Sequence, residues 1–434
     1  MDEARSNRGG TSPSASPSAS PSASPSASAS ASASASASAS ASASPSALSR
    51  SWRDYRPQPD GGRFPPCTRL PERPGLWDLA EDEAAREHWV GILRGNAHYL
   101  LELVRDDGSP LQQAAAERAV GLLGEMLDEI QQGSAAREVR TVHEMTLVRE
   151  QLLRAHGLYD PYFLTKRRQA ETYLQAAAEA CEEAWTETDH PASLLSRLLA
   201  GNLFDLGSQS TQEAFREGRL DPLSDHPRFR APVEAWIDDQ PNEAIDPWLP
   251  RPQPLDQPGR GRVLLLADNA GPDFLLGIVP VALYLARSWT VYIVANTHPA
   301  SSDITYAEAA VWMDRLAGLD PQEAPKRRRS QAPPGAGRSP LAQVLSSGRL
   351  RLVPSGTGSP GIDLAHVGPA LCEVASEADW LLIDGQGRGI ETNWTTRFRV
   401  PSYRVAVVKD RLVAGVVGCE PGAPLLRYDP PDVP

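Results

Sequence analysis

The sequence predicts an α/β protein, with a doubly wound parallel sheet in the C-terminal half, a helical half before it and a low-complexity head. Three observations carry this prediction. Beyond residue 260, short runs of β-branched and aliphatic residues alternate with helix-length segments. Between Leu76 and Trp236, apolar residues recur at three- and four-residue spacing. Residues 11–47 are almost purely Ser, Ala and Pro.

Taken in chain order, residues 1–74 read as a disordered Ser/Ala/Pro-rich tail, because such a composition buries too little apolar surface to offset the entropy of ordering. Alanine favours helix, but serine at every second position and repeated proline oppose it. Residues 75–245 read as a helical domain. His88-Trp89-Val90-x-x-Leu93 and Leu122-Leu123-x-x-Met126-Leu127-x-x-Ile130 keep helical spacing, and Asp107-Gly108-Ser109-Pro110, Gln132-Gly133-Ser134 and Asp160-Pro161 supply turn formers between the periodic segments. The proline-rich stretch 247–259 fits neither helix nor central strand and marks the passage into the α/β domain, 246–434. Strands are expected at 263–267, 291–295, 350–353, 380–383 and 403–408, with helices at 274–287 and 306–316. An insertion at 321–340 carries Lys326, Arg327, Arg328 and Arg329 in a Pro/Gly/Ser setting, as a mobile surface loop or as a lid that attracts phosphate.

Composition narrows the function. With 55 acidic against 43 basic residues the net charge is −12, and no basic stripe with interleaved aromatics appears, so nucleic acid is not an expected partner. Cys67, Cys181, Cys372 and Cys419 lie far apart without metal-finger spacing, as in a reducing compartment. No run approaches the roughly 18–20 apolar residues of a membrane span, and the N-terminus lacks an apolar signal-peptide core. A soluble, cytoplasmic protein without a membrane partner is expected; the oligomeric state is left open.

In open α/β sheets ligands bind beyond the carboxyl ends of the strands. The first strand ends in Ala267-Asp268-Asn269-Ala270-Gly271-Pro272-Asp273, the second in Asn296-Thr297-His298-Pro299 running on to Asp303, and the fourth in Asp384-Gly385-Gln386-Gly387-Arg388. Asp268, Asn269 and Asp303 offer two carboxylates and an amide oxygen, a hard donor set suited to a divalent ion. On spacing alone, Asp-Asn after a strand is equally a helix N-cap or a turn. His143-Glu144 lacks the second histidine of a zinc-protease motif, Ser355 and Ser359 lack a nucleophile elbow, and the Asp384 segment is neither a dinucleotide fingerprint nor a P-loop. His298 reads as a loop group beside the site.

Three blocks carry a resemblance: Leu199-Ala-Gly-Asn-Leu-Phe-Asp-Leu-Gly-Ser208; Ala267-Asp-Asn-Ala-Gly-Pro-Asp-Phe-Leu-Leu-Gly-Ile-Val-Pro280 with Ala295-Asn-Thr-His-Pro-Ala-Ser-Ser-Asp-Ile-Thr-Tyr306; and Gly385-Gln-Gly-Arg-Gly-Ile-Glu-Thr-Asn393 with Val407-Val-Lys409. They resemble the metal-dependent damage-control phosphatases, in the branch that includes a phosphatase domain fused to an inactive pantothenate kinase. The resemblance implies a three-layer α/β/α, Rossmann-like sheet with a helical region packed on it, and a divalent ion (Mn, Co, Ni or Mg) on Asp268, Asn269 and Asp303, which would also be the catalytic residues. It implies substrate contacts from Asn202, Asp205, Arg388, Glu391, Asn393 and Lys409. The branch's substrates are 4′-phosphopantetheine and its damaged forms, so hydrolysis of such a phosphomonoester is the expected activity. Two departures stand out: Asp384-Gly-Gln-Gly-Arg388 where the family usually has Glu-Gly-Met-Gly-Arg, and Gln169-Ala170 where it tends to have Glu-Asn. A non-catalytic metabolite-binding protein with the same fold is the alternative. A methyltransferase on a Rossmann-like sheet is a distant third, since the first strand lacks an adenosyl-binding glycine loop.

Overall fold

Capping chemistry fixes where the helices of the N-terminal half begin. The computed structural model describes residues 51–55, 61–187, 191–203, 217, 220–319 and 339–433, all within one compact unit, Leu48–Pro434. Helix α1 (Glu83–Asp107) starts at Asp82, whose carboxylate accepts from the Ala85 N–H. Helices α2 (Pro110–Gln131) and α3 (Val142–Ala155) start at capping boxes formed by Ser109 with Gln112 and Thr141 with Glu144. Helices α4 (Phe163–Thr186) and α5 (Ala192–Asn202) follow. The apolar stripes of α1, α2 and α3 meet in one buried cluster: Trp89 and Leu93 with Met126, Leu127, Met145 and Val148. Ile390, Ala406 and Val408 belong to the same cluster, so this helical layer is packed directly on the α/β half.

Short strands β1 (Cys67–Arg69) and β6 (Arg397–Phe398) pair with each other. The main sheet is built from β2 (Arg262–Leu266), β3 (Thr290–Ala295), β4 (Leu350–Pro354), β5 (Trp380–Asp384), β7 (Ser402–Val407) and β8 (Pro424–Asp429), in the order β4-β3-β2-β5-β7-β8. All neighbours run parallel except β7 and β8. The chain steps outward from β2 to β3 and β4, then crosses back to β5 on the other flank, so the topological switch point lies between β2 and β5. Strand β2 shows why these runs lack alternation in sequence. Val263 and Leu265 face a core shared with α4, α5 and the helices Val279–Ala286 and Tyr306–Ala317, whereas Leu264 and Leu266 face Phe64, Leu371 and Phe398 on the opposite side. Both faces are covered, giving three layers.

The five expected strands are present within a residue or so of their limits, and the 249–261 connector is irregular. The expected tail is too long: Trp52 and Phe64 are fully buried and Cys67 pairs with Phe398. Isolated aromatic anchors among Arg, Pro and Gly carry no periodicity, yet each buries a large apolar area. The helix expected at 274–287 opens as a π-helical turn, Asp273–Ile278, before Val279–Ala286. Pro280 has no N–H with which to close an α-helical bond across that turn. Residues 321–338 of the basic insertion and residues 1–50 lie outside the described residues, and Pro340 at its end opens the helix Pro340–Ser347. Among the described residues no helix is long and apolar enough to cross a membrane.

Beneath β2 and β5, Trp380 is packed edge-on against Tyr403 at 5.2 Å and Trp289 at 6.1 Å, and tilted against Trp248 at 5.2 Å. Replacing Trp380 with Ala removes the centre of this cluster. Urea unfolding of Trp380→Ala is expected to show a loss of about 3–5 kcal/mol; a loss under 1 kcal/mol would mean the cluster closes over the gap.

Candidate metal and phosphate site

Three loops at the switch point are laced together by backbone bonds. After β2 the chain carries Asp268 and Asn269; after β3 it doubles back through Pro299 to Asp303. Ala270 N–H donates to Ser302 O (2.9 Å) and Ile304 N–H to Asp268 O (3.0 Å), so the second loop lies along the first and brings Asp303 beside Asn269. Ser301, within that loop, has φ 48°, the one left-handed non-glycine among the described residues, a conformation the surrounding bonds must hold. The third loop follows β5: Gly385, at φ 87°, turns the chain into a π-helical turn, Gly387–Glu391, that carries Arg388.

Arg388 is buried and bridges two of the three expected metal ligands. Its Nη2 donates to Asp303 Oδ2 at 2.6 Å and its Nη1 donates to Asp268 Oδ1. Two carboxylates from different strand ends therefore converge on one cationic group. Asn269 Nδ2 donates to Asp268 Oδ2 (3.0 Å) and to Asp273 Oδ2 (3.2 Å), and its Oδ1 accepts from Ser302 Oγ (2.7 Å). Asn296 Nδ2 donates to Asp303 Oδ2 at 2.9 Å. Lys166, paired with Asp160 and Glu308, also donates to the Asp303 carbonyl at 3.3 Å and braces the loop from α4.

The charge at the strand ends is lopsided. Asp268, Asp273, Asp303 and Asp384 bring four carboxyl groups, while Arg388 and Lys409 bring two cations. Burial, and then the Asp268 charge, push Asp273 up to about 7, against the pull of Lys409. Burial, Asp273 and Asp268 hold Asp384 well above the usual carboxylate range. Asp273 Oδ1 and Asp384 Oδ1 are buried without a hydrogen-bond partner. Hard oxygen donors, convergent carboxylates and buried carboxyl oxygens left without a hydrogen-bond partner together fit a divalent cation at Asp268, Asn269 and Asp303. Among the described residues no three His, Cys, Asp or Glu side chains form a metal cage; the candidate set is two carboxylates and an amide.

A cavity of about 530 Å³ opens onto Asp268, Asn269 and Asp303. Its far wall comes from the helical half, with Trp77, His88, Trp89 and Ile92 around α1 and Val142, Thr146 and Arg149 on α3. Gln386, Glu391, Lys409 and Asp410 complete the sheet side. Of the expected substrate contacts, Glu391 and Lys409 line this cavity. Asn202 and Asn393 lie outside its lining and are engaged by the protein itself. Asn202 donates to Asp273 Oδ2 (3.3 Å) and accepts from Val407 N–H (2.9 Å), bracing the acid against β7. Asn393 ties Arg388 O and Ile362 O together at 2.9 Å each and so shapes the π-helical turn. Arg388 lies behind the carboxylates. Asp205 lies outside the described residues. His298 is packed over Gly358. Sequence reasoning did not foresee the buried pair Asp273 and Asp384 as one electrostatic unit, nor the wall on α1. Asp273 stood in the quoted motif, but its burial depends on α5 closing over it.

Residues 84–425 match the family described as the damage-control phosphatase ARMT1-like domain. The chain is 27% identical over 383 residues to "Pantothenate kinase 2" of Arabidopsis thaliana, covering 83% of this chain and 41% of that one. It is 24% identical over 417 residues to the "4′-phosphopantetheine phosphatase" of Mus musculus, covering 82% and 47%. To the "Damage-control phosphatase At2g17340" of Arabidopsis thaliana it is 27% identical over 278 residues, covering 62% and 67%. It thus spans less than half the length of the first two relatives. A solved DUF89 family protein from Pyrococcus horikoshii aligns with TM-score 0.49 and 15% identity, over 78% of this chain and 96% of that one. With the family match running through the helical layer, the switch-point loops and the sheet, this protein belongs to the ARMT1-like damage-control phosphatase family.

Proposed function

We propose that the chain is a metal-dependent phosphomonoester hydrolase acting on 4′-phosphopantetheine or a chemically altered form of it, in the cytoplasm. The observation that carries this reading is the convergence of Asp268 and Asp303 on a single cationic group, with the Asn269 amide beside them. A divalent ion (Mn, Co, Ni or Mg) held there would polarise a phosphoryl oxygen and acidify a bound water. The protein's own groups supply the rest. On this reading Asp268 takes a proton from the attacking water. Lys409 brings positive charge to the cavity wall to meet the phosphate, and Arg388 orders the two carboxylates from behind. The family match and the named relatives support the phosphatase class; the size and mixed character of the cavity support an alcohol larger than the phosphate it carries. Free Cys67, Cys181, Cys372 and Cys419 suit a reducing compartment.

Two experiments test this reading. Phosphate release from 4′-phosphopantetheine is expected to vanish on chelation and return with one or more of the four ions. Asp268→Ala is expected to lower kcat/KM by about 10³-fold with circular dichroism unchanged. Ligand binding without turnover in any of these ions would sink the hydrolase reading. Gly385→Ala probes the geometry. A Cβ there would collide with the Asp268 carboxylate, and the left-handed backbone strains any other residue. Activity is expected to fall by about 10²-fold with a stability loss of roughly 1–3 kcal/mol, and wild-type turnover would refute the placement of Asp268.

A further inference from the structure

We propose that Gln386 is a positioning residue, whose single carboxamide holds the Lys409 backbone and the Glu391 carboxylate in fixed relation at the cavity wall. This rests on the phosphatase reading only in what the two residues are positioned for.

Gln386 follows Gly385 at the tip of β5 and is nearly buried, at 8% exposure. Its Oε1 accepts from two successive backbone donors, Lys409 N–H at 2.7 Å and Asp410 N–H at 3.2 Å. Its Nε2 donates to Glu391 Oε1 at 2.7 Å. Only one orientation of the amide satisfies all three, because the N–H groups need an acceptor and the carboxylate needs a donor. The chain of bonds continues outward. Asp410 Oδ1 caps the helix Arg411–Val417 by accepting from Leu412 and Val413 N–H, while Oδ2 meets His88 Nε2 at 2.6 Å. Arg411 has no acceptor to offer, so its contact with His88 Nδ1 at 3.1 Å makes Nδ1 the acceptor and leaves Nε2 to donate to Asp410. His88, Asp410, Gln386 and Glu391 therefore form one line of polar contacts from α1, in the helical layer, to the π-helical turn after β5. All four, with Lys409, line the cavity.

The chemistry singles out a neutral amide. A methionine fills the same space and makes none of the three bonds. A glutamate accepts from Lys409 and Asp410 N–H but faces Glu391 with like charge until the pair shares a proton. Losing two accepted bonds and one donated bond is equivalent to about tenfold or more in binding.

The test compares the full-length chain with Gln386→Met and Gln386→Glu, using 4′-phosphopantetheine and an aryl phosphate. Gln386→Met is expected to fold and to raise KM about tenfold or more, with kcat changed less, since the bonds lost position groups that bind the ester in ground and transition state alike. Gln386→Glu keeps both accepted bonds and is expected to show a smaller KM defect at pH 8, relieved further as the pH falls and a shared proton again donates to Glu391. A wild-type KM in Gln386→Met, or a Gln386→Glu defect indifferent to pH, overturns the proposal. If the wild-type chain cleaves neither ester, the hydrolase reading fails by itself, and two further readouts still decide the role of Gln386. Hydrogen exchange at the Lys409 and Asp410 amides is expected to accelerate in Gln386→Met, and inorganic phosphate, titrated by calorimetry, to bind about tenfold more weakly; unchanged exchange and binding overturn it.

Discussion

Four carboxyl groups crowded against three strand ends set the terms for everything built around them. A buried carboxylate without compensation costs far more than a small domain can spare, and Asp268, Asp273, Asp303 and Asp384 are all nearly or fully buried. The protein answers in three ways. Asp273 and Asp384 are pushed toward the protonated state. Asn269 and Asn296 turn amide donors onto the acids. Arg388 inserts its fork between Asp268 and Asp303. On the proposed reading, a divalent ion is the fourth answer, and it competes with the guanidinium for the same two carboxylates. Retaining such a cluster makes sense only where the chemistry needs charge, since an apolar replacement would be easier to bury.

What allows the cluster to exist is the sheet beneath it. Parallel strands β2, β3 and β5, sealed on both faces, hold their tips at fixed separation, and the switch point leaves a crevice between β2 and β5. The loops then need little freedom. Glycines at 271 and 385 take left-handed backbone where a side chain would strike Gln169 or Asp268, and π-helical turns follow both loops. Backbone bonds between the β2 and β3 loops convert sequence-distant Asp268 and Asp303 into neighbours.

The strands were legible because burial on both faces writes itself as unbroken apolar runs, as at 263–266 and 380–383. Residues after each strand tip were legible for a different reason, that open sheets bind ligands there. Edge strand β8 was not: half-exposed, carrying Arg427 and Asp429, it lacks a clear run. Trp52 and Phe64 were hidden because a single buried aromatic has no period. Asn202 and Asn393 were placed in the site by motif likeness, yet a motif reports that a side chain matters without saying whether it meets the ligand or the protein. Their partners, Asp273 and Val407 for one and Arg388 O and Ile362 O for the other, come from remote segments that only the fold brings near.

The same division of labour separates chemistry from selectivity. Every group that faces the candidate ion comes from the sheet loops, whereas the wall opposite comes from α1 and α3, which share a core with β7-end residues Ala406 and Val408. Substitutions at Trp77, Ile92 or Thr146 can reshape the space for an ester's alcohol without touching a carboxylate, because no backbone bond of the switch-point loops passes through those helices. Two side chains of those helices do reach the loops: His88 is joined through Asp410 to the Lys409 loop, and Arg154 of α3 donates to Pro299 O at 2.8 Å. On the proposed reading, the line of contacts from α1 to the π-helical turn joins the wall around the ester's alcohol to the groups that meet its phosphate.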